Sequence, residues 1–398
     1  MSAFLDKIQS LFSKWFVIAS FLPVFIVTFI NATIANETVP RFHAWVLAQK
    51  PQSNLETIID GGVALFAIGV VAFLLSSLTT FQRELLEGKH WHPPRLQEFF
   101  VRMQEAERTR MEKAFEDARR RRRPIRRNAT PWREALSVAH DQGTQTAGYD
   151  PKAIDDLLAA AVKAGREVAS KQLEDIYTPL RLALATYKAD DPANERLDEQ
   201  QQEFVQLVDD ALQHREYEYI AAYHVLQYSF GKGRHTAATA IGNIAAAASS
   251  YSYTRYAISF DLFWMRMQHA AQSDSYYSVL QDAKAQLDAL ITLFWLLAIT
   301  TVIWSAALAV CTPAFWWFLG VAIGGPLLCR GVYFLALNSY RGLAEVMRSV
   351  VDLYRFKVLK NLHIRLPTDL KSERELWDRL DGFIGYGDEI SLAFEHSA

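Results

Sequence analysis

Four long apolar runs constrain this chain more than any other feature. They are WFVIASFLPVFIVTFINATIA (Trp15–Ala35), GGVALFAIGVVAFLLSSLTT (Gly61–Thr80), LDALITLFWLLAITTVIWSAALAVC (Leu287–Cys311) and AFWWFLGVAIGGPLLCRGVYFLALN (Ala314–Asn338). A helix rising about 1.5 Å per residue needs about 20 residues to cross a hydrocarbon core of about 30 Å, and each run reaches that length. Burying four such helices in a soluble protein would take a larger polar shell than the remainder of the 398 residues supplies. The expectation is an all-α membrane protein with four transmembrane helices and a helical domain inserted between the second and third. Residues 15–80 then form one hairpin with a short external loop, 81–285 the inserted domain, 286–338 a second hairpin and 339–398 a helical tail.

Ahead of the first run, Phe4, Leu5, Ile8, Leu11 and Phe12 share one helical face beside Lys7 and Lys14. That pattern fits an interfacial amphipathic helix over residues 1–14, leading into a retained span rather than a cleaved leader. Charge flanking the runs sets the orientation. The only lysines and arginines in the loop from Asn36 to Asp60 are Arg41 and Lys50, and the turn between the last two runs carries no charge. Arg83, Lys89, Arg95 and Arg102 follow the second run, and Arg341, Arg348, Arg355 and Lys357 follow the fourth. Both termini and the inserted domain are expected in the cytoplasm, with the lipid bilayer as the first partner.

The inserted domain reads as helical. Leu96, Phe99, Phe100, Met103, Met111, Phe115 and Ala118 fall near helical spacing between Pro94 and Pro124, so a helix is expected to open after Pro93-Pro94 and end before Pro124. Phe204, Leu207, Val208, Leu212, Ile220, Tyr223 and Leu226 repeat the pattern. After the fourth run the helix is expected to continue toward Pro367, and Ser372-Glu373-Arg374-Glu375 has the spacing of a capping box opening a last helix.

Charge is concentrated at one place. Arg119, Arg120, Arg121, Arg122, Arg123, Arg126 and Arg127 lie within nine residues of a chain whose formal net charge is −2. Three readings stand: pairing with the acidic stretch Asp190–Glu203, binding of a cytoplasmic nucleotide or oligonucleotide, and binding of lipid headgroups. Within the spans the ionisable side chain farthest from an end is Arg330, about 24 Å along its helix from the outer turn. It follows Gly325 and Pro326, which are expected to kink the helix. Arg330 is either a snorkelling anchor or a pore or gate residue. With no acidic residue at mid-membrane, an oligomeric channel fits better than a secondary transporter.

Reaction chemistry is sparsely represented. FGKGRHT lacks the order of a phosphate-cradling loop, and the chain holds no GxSxG or HExxH. His90 and His92 are weak metal candidates because i, i+2 histidines diverge on a helix and no third ligand has recognisable spacing. Cys311 and Cys329 form neither a CxxC nor a Cys/His pattern. No cofactor is implied and an enzyme is not expected; were it one, a lipid would be the substrate.

Gly242 and Asn243, then Tyr251, Arg255, Tyr256, Trp264 and Arg266, followed after a hydrophobic hairpin by Glu373, Arg374, Leu376 and Trp377, resemble the signature of an uncharacterised group of bacterial multi-pass membrane proteins. The resemblance implies a bacterial inner-membrane location and carries no activity. In architecture the chain is similar to membrane effectors of bacterial antiviral systems. The expected function is an oligomeric channel or membrane-perturbing effector gated by a cytoplasmic ligand or protein. The alternatives are a non-conducting scaffold or signal transducer, and a lipid-acting enzyme.

Overall fold

The computed structural model describes residues 13–48, 54–141, 213–231, 235–310 and 315–388, with 54–60 and 123–141 described by backbone alone. The expected interfacial helix over residues 1–14, the acidic stretch Asp190–Glu203 and the turn between the last two runs fall wholly or largely outside these residues. The elements are α1 (Lys14–Thr38), α2 (Pro40–Ala48), α3 (Asn54–Ser77), α4 (Thr79–Leu86), α5 (Pro94–Asp141), α6 (213–230), α7 (Ala240–Tyr256), α8 (Phe260–Ala271), α9 (Ser275–Val310), α10 (Phe315–Asn361) and α11 (Leu370–Asp381). They form two compact units, one from residues up to Glu105 and from Tyr228 onward, the other from Ala106 to Gln227.

Among the described residues three helices, α1, α9 and α10, are long and apolar enough to cross a membrane; α3 and α4 make a fourth candidate span if counted together, with a bend of 55° between them. The bend has a local cause. Ser76 and Ser77 turn their hydroxyls back onto the carbonyls of Phe73 and Leu74 at 2.7 and 2.6 Å, a bonding pattern that bends helices. In α1, residues Val17–Phe21 widen into a π turn just before Pro23, which has no N–H to continue the ladder.

The candidate spans are joined at one level. Lys14 Nζ and Trp15 Nε1 both donate to Asp282 Oδ1, at 3.0 and 2.9 Å. Arg83 pairs with Asp288, and Tyr340 Oη donates to Glu87 Oε1 at 2.9 Å. Thus the start of the first run, the end of the second, the start of the third and the end of the fourth lie together. Further along, Asn31 accepts from Trp304 Nε1 at 2.6 Å and donates to Thr300 at 3.3 Å, so α1 and α9 run parallel and α10 returns antiparallel. Gly325 sits where α10 crosses α9: a Cβ there would stand 2.4 Å from the Thr301 side chain, which only glycine avoids.

Three elements depart from the sequence expectation. The helix expected to stop before Pro124 runs on to Asp141, because one proline removes a single ladder bond, a cost of about 3 kcal/mol that a long helix absorbs. Within the segment expected to be a short loop, α1 extends to Thr38 and α2 opens on Pro40, whose fixed φ suits a first helical position. The last helix begins earlier than Ser372: Asp369 is its N-cap, accepting from the Lys371 and Ser372 amides, and Ser372 is the N3 partner of the capping box. The backbone N–H bonds received from Ser372 hold the Asp369 carboxyl below its ordinary value.

In the first unit, α7, α8 and α11 pack with the ends of α9 and α10 beyond the apolar runs. Trp377 is wholly buried and meets Phe263 edge-on at 4.9 Å, in a buried cluster that also includes Ile258, Leu359 and Leu287. In the second unit, α5 and α6 pair antiparallel through Phe115, whose ring lies 5.4 Å from Tyr219 and 5.9 Å from Tyr223.

Candidate functional site

α10 carries polar groups at two levels beyond its apolar run. At the first, Tyr340 meets Glu87, whose second carboxylate oxygen takes Lys89 Nζ at 2.8 Å. Here α4 ends against the start of α7. Thr239 caps α7 by accepting from the Gly242 amide at 2.9 Å while donating to the Leu86 carbonyl at 2.9 Å. A Cβ on Gly242 would lie 2.2 Å from the Glu87 carbonyl oxygen, so glycine is required for this approach. Asn243 clamps the preceding strand of chain: its Oδ1 accepts from Ala237 N at 2.6 Å, and its amide donates to Ala237 O and Gln104.

The second level, about 39 Å along α10 from Pro326 at Asp352, is built from Arg348, Asp352 and Arg355, spaced i, i+4 and i+7 on one face. Tyr256 donates to Asp352 Oδ1 at 2.7 Å, and Tyr251 bonds the same carboxylate at 2.9 and 3.1 Å. Burial, reinforced by the bond to Asp352, raises both phenols above their ordinary value. Arg355 donates to Glu373 on α11 at 2.7 Å and holds the Asp352 carbonyl, with its guanidinium 4.3 Å from the Tyr256 ring. Arg374 donates to the carbonyls of Thr254 and Arg255 at 2.9 and 3.0 Å, satisfying the open end of α7.

Arg348 differs from its neighbours. It is 5 % exposed, and its guanidinium carbon stands 3.9 Å from the Tyr228 ring centroid and 5.7 Å from that of Tyr251. Its carboxylate partner is the exposed Glu345 at 3.4 Å, and its Nε has no hydrogen-bond partner among the described residues. Burying a cation with so little compensation costs several kcal/mol. Asp352 and Glu373 are both engaged as acceptors, which suits a lock between helices rather than acid–base catalysis.

The residues singled out in the sequence do not come together here. Arg122 forms a forked pair with Glu216, its Nη2 at 2.5 Å, and lies 4.2 Å over Tyr219. Arg121 reaches Glu218 at 3.9 Å and Arg119 reaches Glu116 at 3.3 Å, while Arg120 is exposed. Desolvation works against the Glu218 charge, but the bond from Arg215 and the nearby Arg121 outweigh it and lower its pKa. Arg123, Arg126 and Arg127 lie within α5, their side chains outside the described set. Arg330 is exposed, 5.0 Å over the Phe334 ring, and α10 continues unbroken through Pro326. His90 bonds Glu84 at 2.9 Å and stacks on Phe81, and His92 is exposed; among the described residues no group of three or more metal-ligating side chains occurs.

Sequence reasoning treated Arg348 and Arg355 only as positive flanking charge and passed over Asp352 and Tyr228. The available signal was the i, i+4, i+7 spacing of Arg, Asp and Arg on a helix continuing out of a span. Compared with models of known families, with curated protein sequences and with solved structures, the chain matches none.

Proposed function

We propose that this chain is a four-span bacterial inner-membrane protein whose copies assemble into a channel or membrane-perturbing effector. Both termini and residues 81–285 lie in the cytoplasm, and α10 carries the gating signal. The observation that supports this most is α10 itself, a 47-residue helix with an apolar span at one end and the under-compensated Arg348 beyond it. A rigid helix transmits rotation or axial movement from one end to the other. A buried charge with an unmet donor supplies an element whose favoured state a small perturbation can change.

Two further features support the reading. The run ends joined through Asp282, Arg83, Glu87 and Tyr340 suit two hairpins opening to the same side. No residue of the most apolar stretch of α10 is fully buried by the described residues, and the exposed side chains there, Leu327 and Leu328 among them, face lipid or another copy. Of the residues on which the proposed kinship with bacterial multi-pass membrane proteins rests, Gly242, Asn243, Tyr251, Tyr256, Glu373, Arg374 and Trp377 take part in the packing around the two polar levels. In this reading the arginine run serves mainly to fasten α5 to α6 through Glu216 and Glu218.

Planar-bilayer recording of the purified protein tests the proposal. Discrete conductance that responds to Arg348→Met is expected. Absence of conductance with correctly inserted protein, under every cytoplasmic addition tried, favours a non-conducting scaffold. Reporter fusions after Ala35 and at Thr312 should report the exterior, and fusions after Gln104 and at the C-terminus the cytoplasm.

A further inference from the structure

The first turns of α5 present an apolar stripe that none of the described residues covers. Leu96, Phe99 and Met103 are 45, 58 and 53 % exposed and, at i, i+3 and i+7, share one face. The helix cannot roll this stripe inward, because its other side is held. Phe100 meets Trp91 edge-on at 5.0 Å, Trp91 donates to the Leu85 carbonyl at 2.7 Å, and Gln104 accepts from Asn243 at 3.1 Å.

Charge is sorted around the stripe. At about 100° per residue, Arg95 and Arg102 lie along one edge of it, whereas Glu98 and Glu105 fall on the far side of the helix. All four are exposed. Such a face, apolar at the centre with long cationic side chains beside it, matches the boundary between headgroups and acyl chains of an anionic bilayer. The stripe is also continuous with a candidate span. Leu78 and Phe81, at the bend that ends the second run, are exposed, and Phe99 is two aromatic contacts, 5.4 and 5.0 Å, from the Trp91 bound to α4.

We propose that Pro94–Glu105 lies on the surface of the membrane that the chain crosses, with Leu96, Phe99 and Met103 inserted shallowly and Arg95 and Arg102 on lipid phosphates. The charge sorting favours a lipid surface over a second copy of the chain, which would have to meet two arginines with carboxylates of its own. Docked in this way, α5 braces the end of α4 and the Gly242 approach against the bilayer, so lipid charge acts on the same junction that α10 crosses at Tyr340.

The test uses the full chain in vesicles of phosphatidylcholine with phosphatidylglycerol. Cys311 and Cys329 are replaced by serine, and an environment-sensitive fluorophore is attached at Phe99→Cys or, separately, Met103→Cys, both exposed positions. Quenching by lipids bearing a nitroxide near the headgroup is expected at both sites, and it should weaken in vesicles of phosphatidylcholine alone or at high salt. A label at Lys360→Cys, about 33 Å along α10 beyond Asn338, should be quenched by aqueous iodide and not by the lipids. Iodide quenching without lipid quenching at Phe99→Cys and Met103→Cys overturns the proposal. So does protection from both quenchers, which is what a covering second copy would produce.

Discussion

Replacing Arg348 by methionine separates a side chain kept for stability from one kept for function. Its favourable contacts are a desolvated cation–π interaction with Tyr228, worth up to about 2 kcal/mol, and a half-exposed pair with Glu345, worth less than about 1 kcal/mol. Against these stand an effective desolvation penalty of several kcal/mol and an Nε without a partner among the described residues, itself costing about 1–3 kcal/mol. Methionine fills similar volume, keeps a favourable sulfur contact with the Tyr228 ring and removes both costs. Arg348→Met should therefore be as stable as the parent or more so, by up to about 2 kcal/mol, read from denaturant unfolding followed by tryptophan fluorescence in detergent. Conductance in the same preparation should change. Destabilisation beyond about 3 kcal/mol, the usual result of breaking a well-satisfied buried ion pair, would show that Arg348 is a structural fastener and refute its assignment as the trigger.

Three other outcomes are expected. Gly242→Ala forces a methyl into the Glu87 carbonyl and should cost at least about 1–3 kcal/mol, measured as loss of folded protein after extraction. Because Tyr251 and Tyr256 have raised phenol values, their contribution is fully present below the ordinary value of about 10 and is lost as pH rises through the raised ones. The melting temperature should accordingly hold to about pH 10 and fall above it, and Asp352→Asn should lower the neutral-pH value while shrinking the alkaline fall. For the arginine run, a double-mutant cycle between Arg122→Gln and Glu216→Gln should show coupling of about 0.2–1 kcal/mol; no coupling would leave the run available for a polyanion.

Local signals carried the fold a long way. Trp15–Ala35, Leu287–Cys311 and Ala314–Asn338 are legible because a span is defined by length and apolarity, properties a single segment holds by itself. The second run is legible in the same way, but its bend depends on whether Ser76 and Ser77 bond back to their own helix. The error at Pro124 came from treating a proline as a stop when its cost is finite. At the last helix, Asp369 and Ser372 both have capping chemistry, and the choice between them rests on backbone geometry. The polar levels on α10 were hidden for a different reason: Glu87 and Tyr340 are 253 residues apart and Tyr251 and Asp352 are 101 apart. No spacing rule joins residues so distant, so charges that pair in the fold read in the sequence as ordinary flanking charge.

The most direct test of coupling along α10 is the reactivity of a single cysteine at Leu327, an exposed position in the apolar run, toward a membrane-impermeant thiol reagent. The comparison is made in vesicles, in the Cys311→Ser, Cys329→Ser background, with and without Arg348→Met. A change in modification rate of at least about 5-fold, the lower range of an allosteric coupling, is expected although the substitution lies 21 residues away along one helix. Equal rates in the two proteins, with folding and insertion unchanged, would contradict transmission from the Arg348 cluster to the membrane.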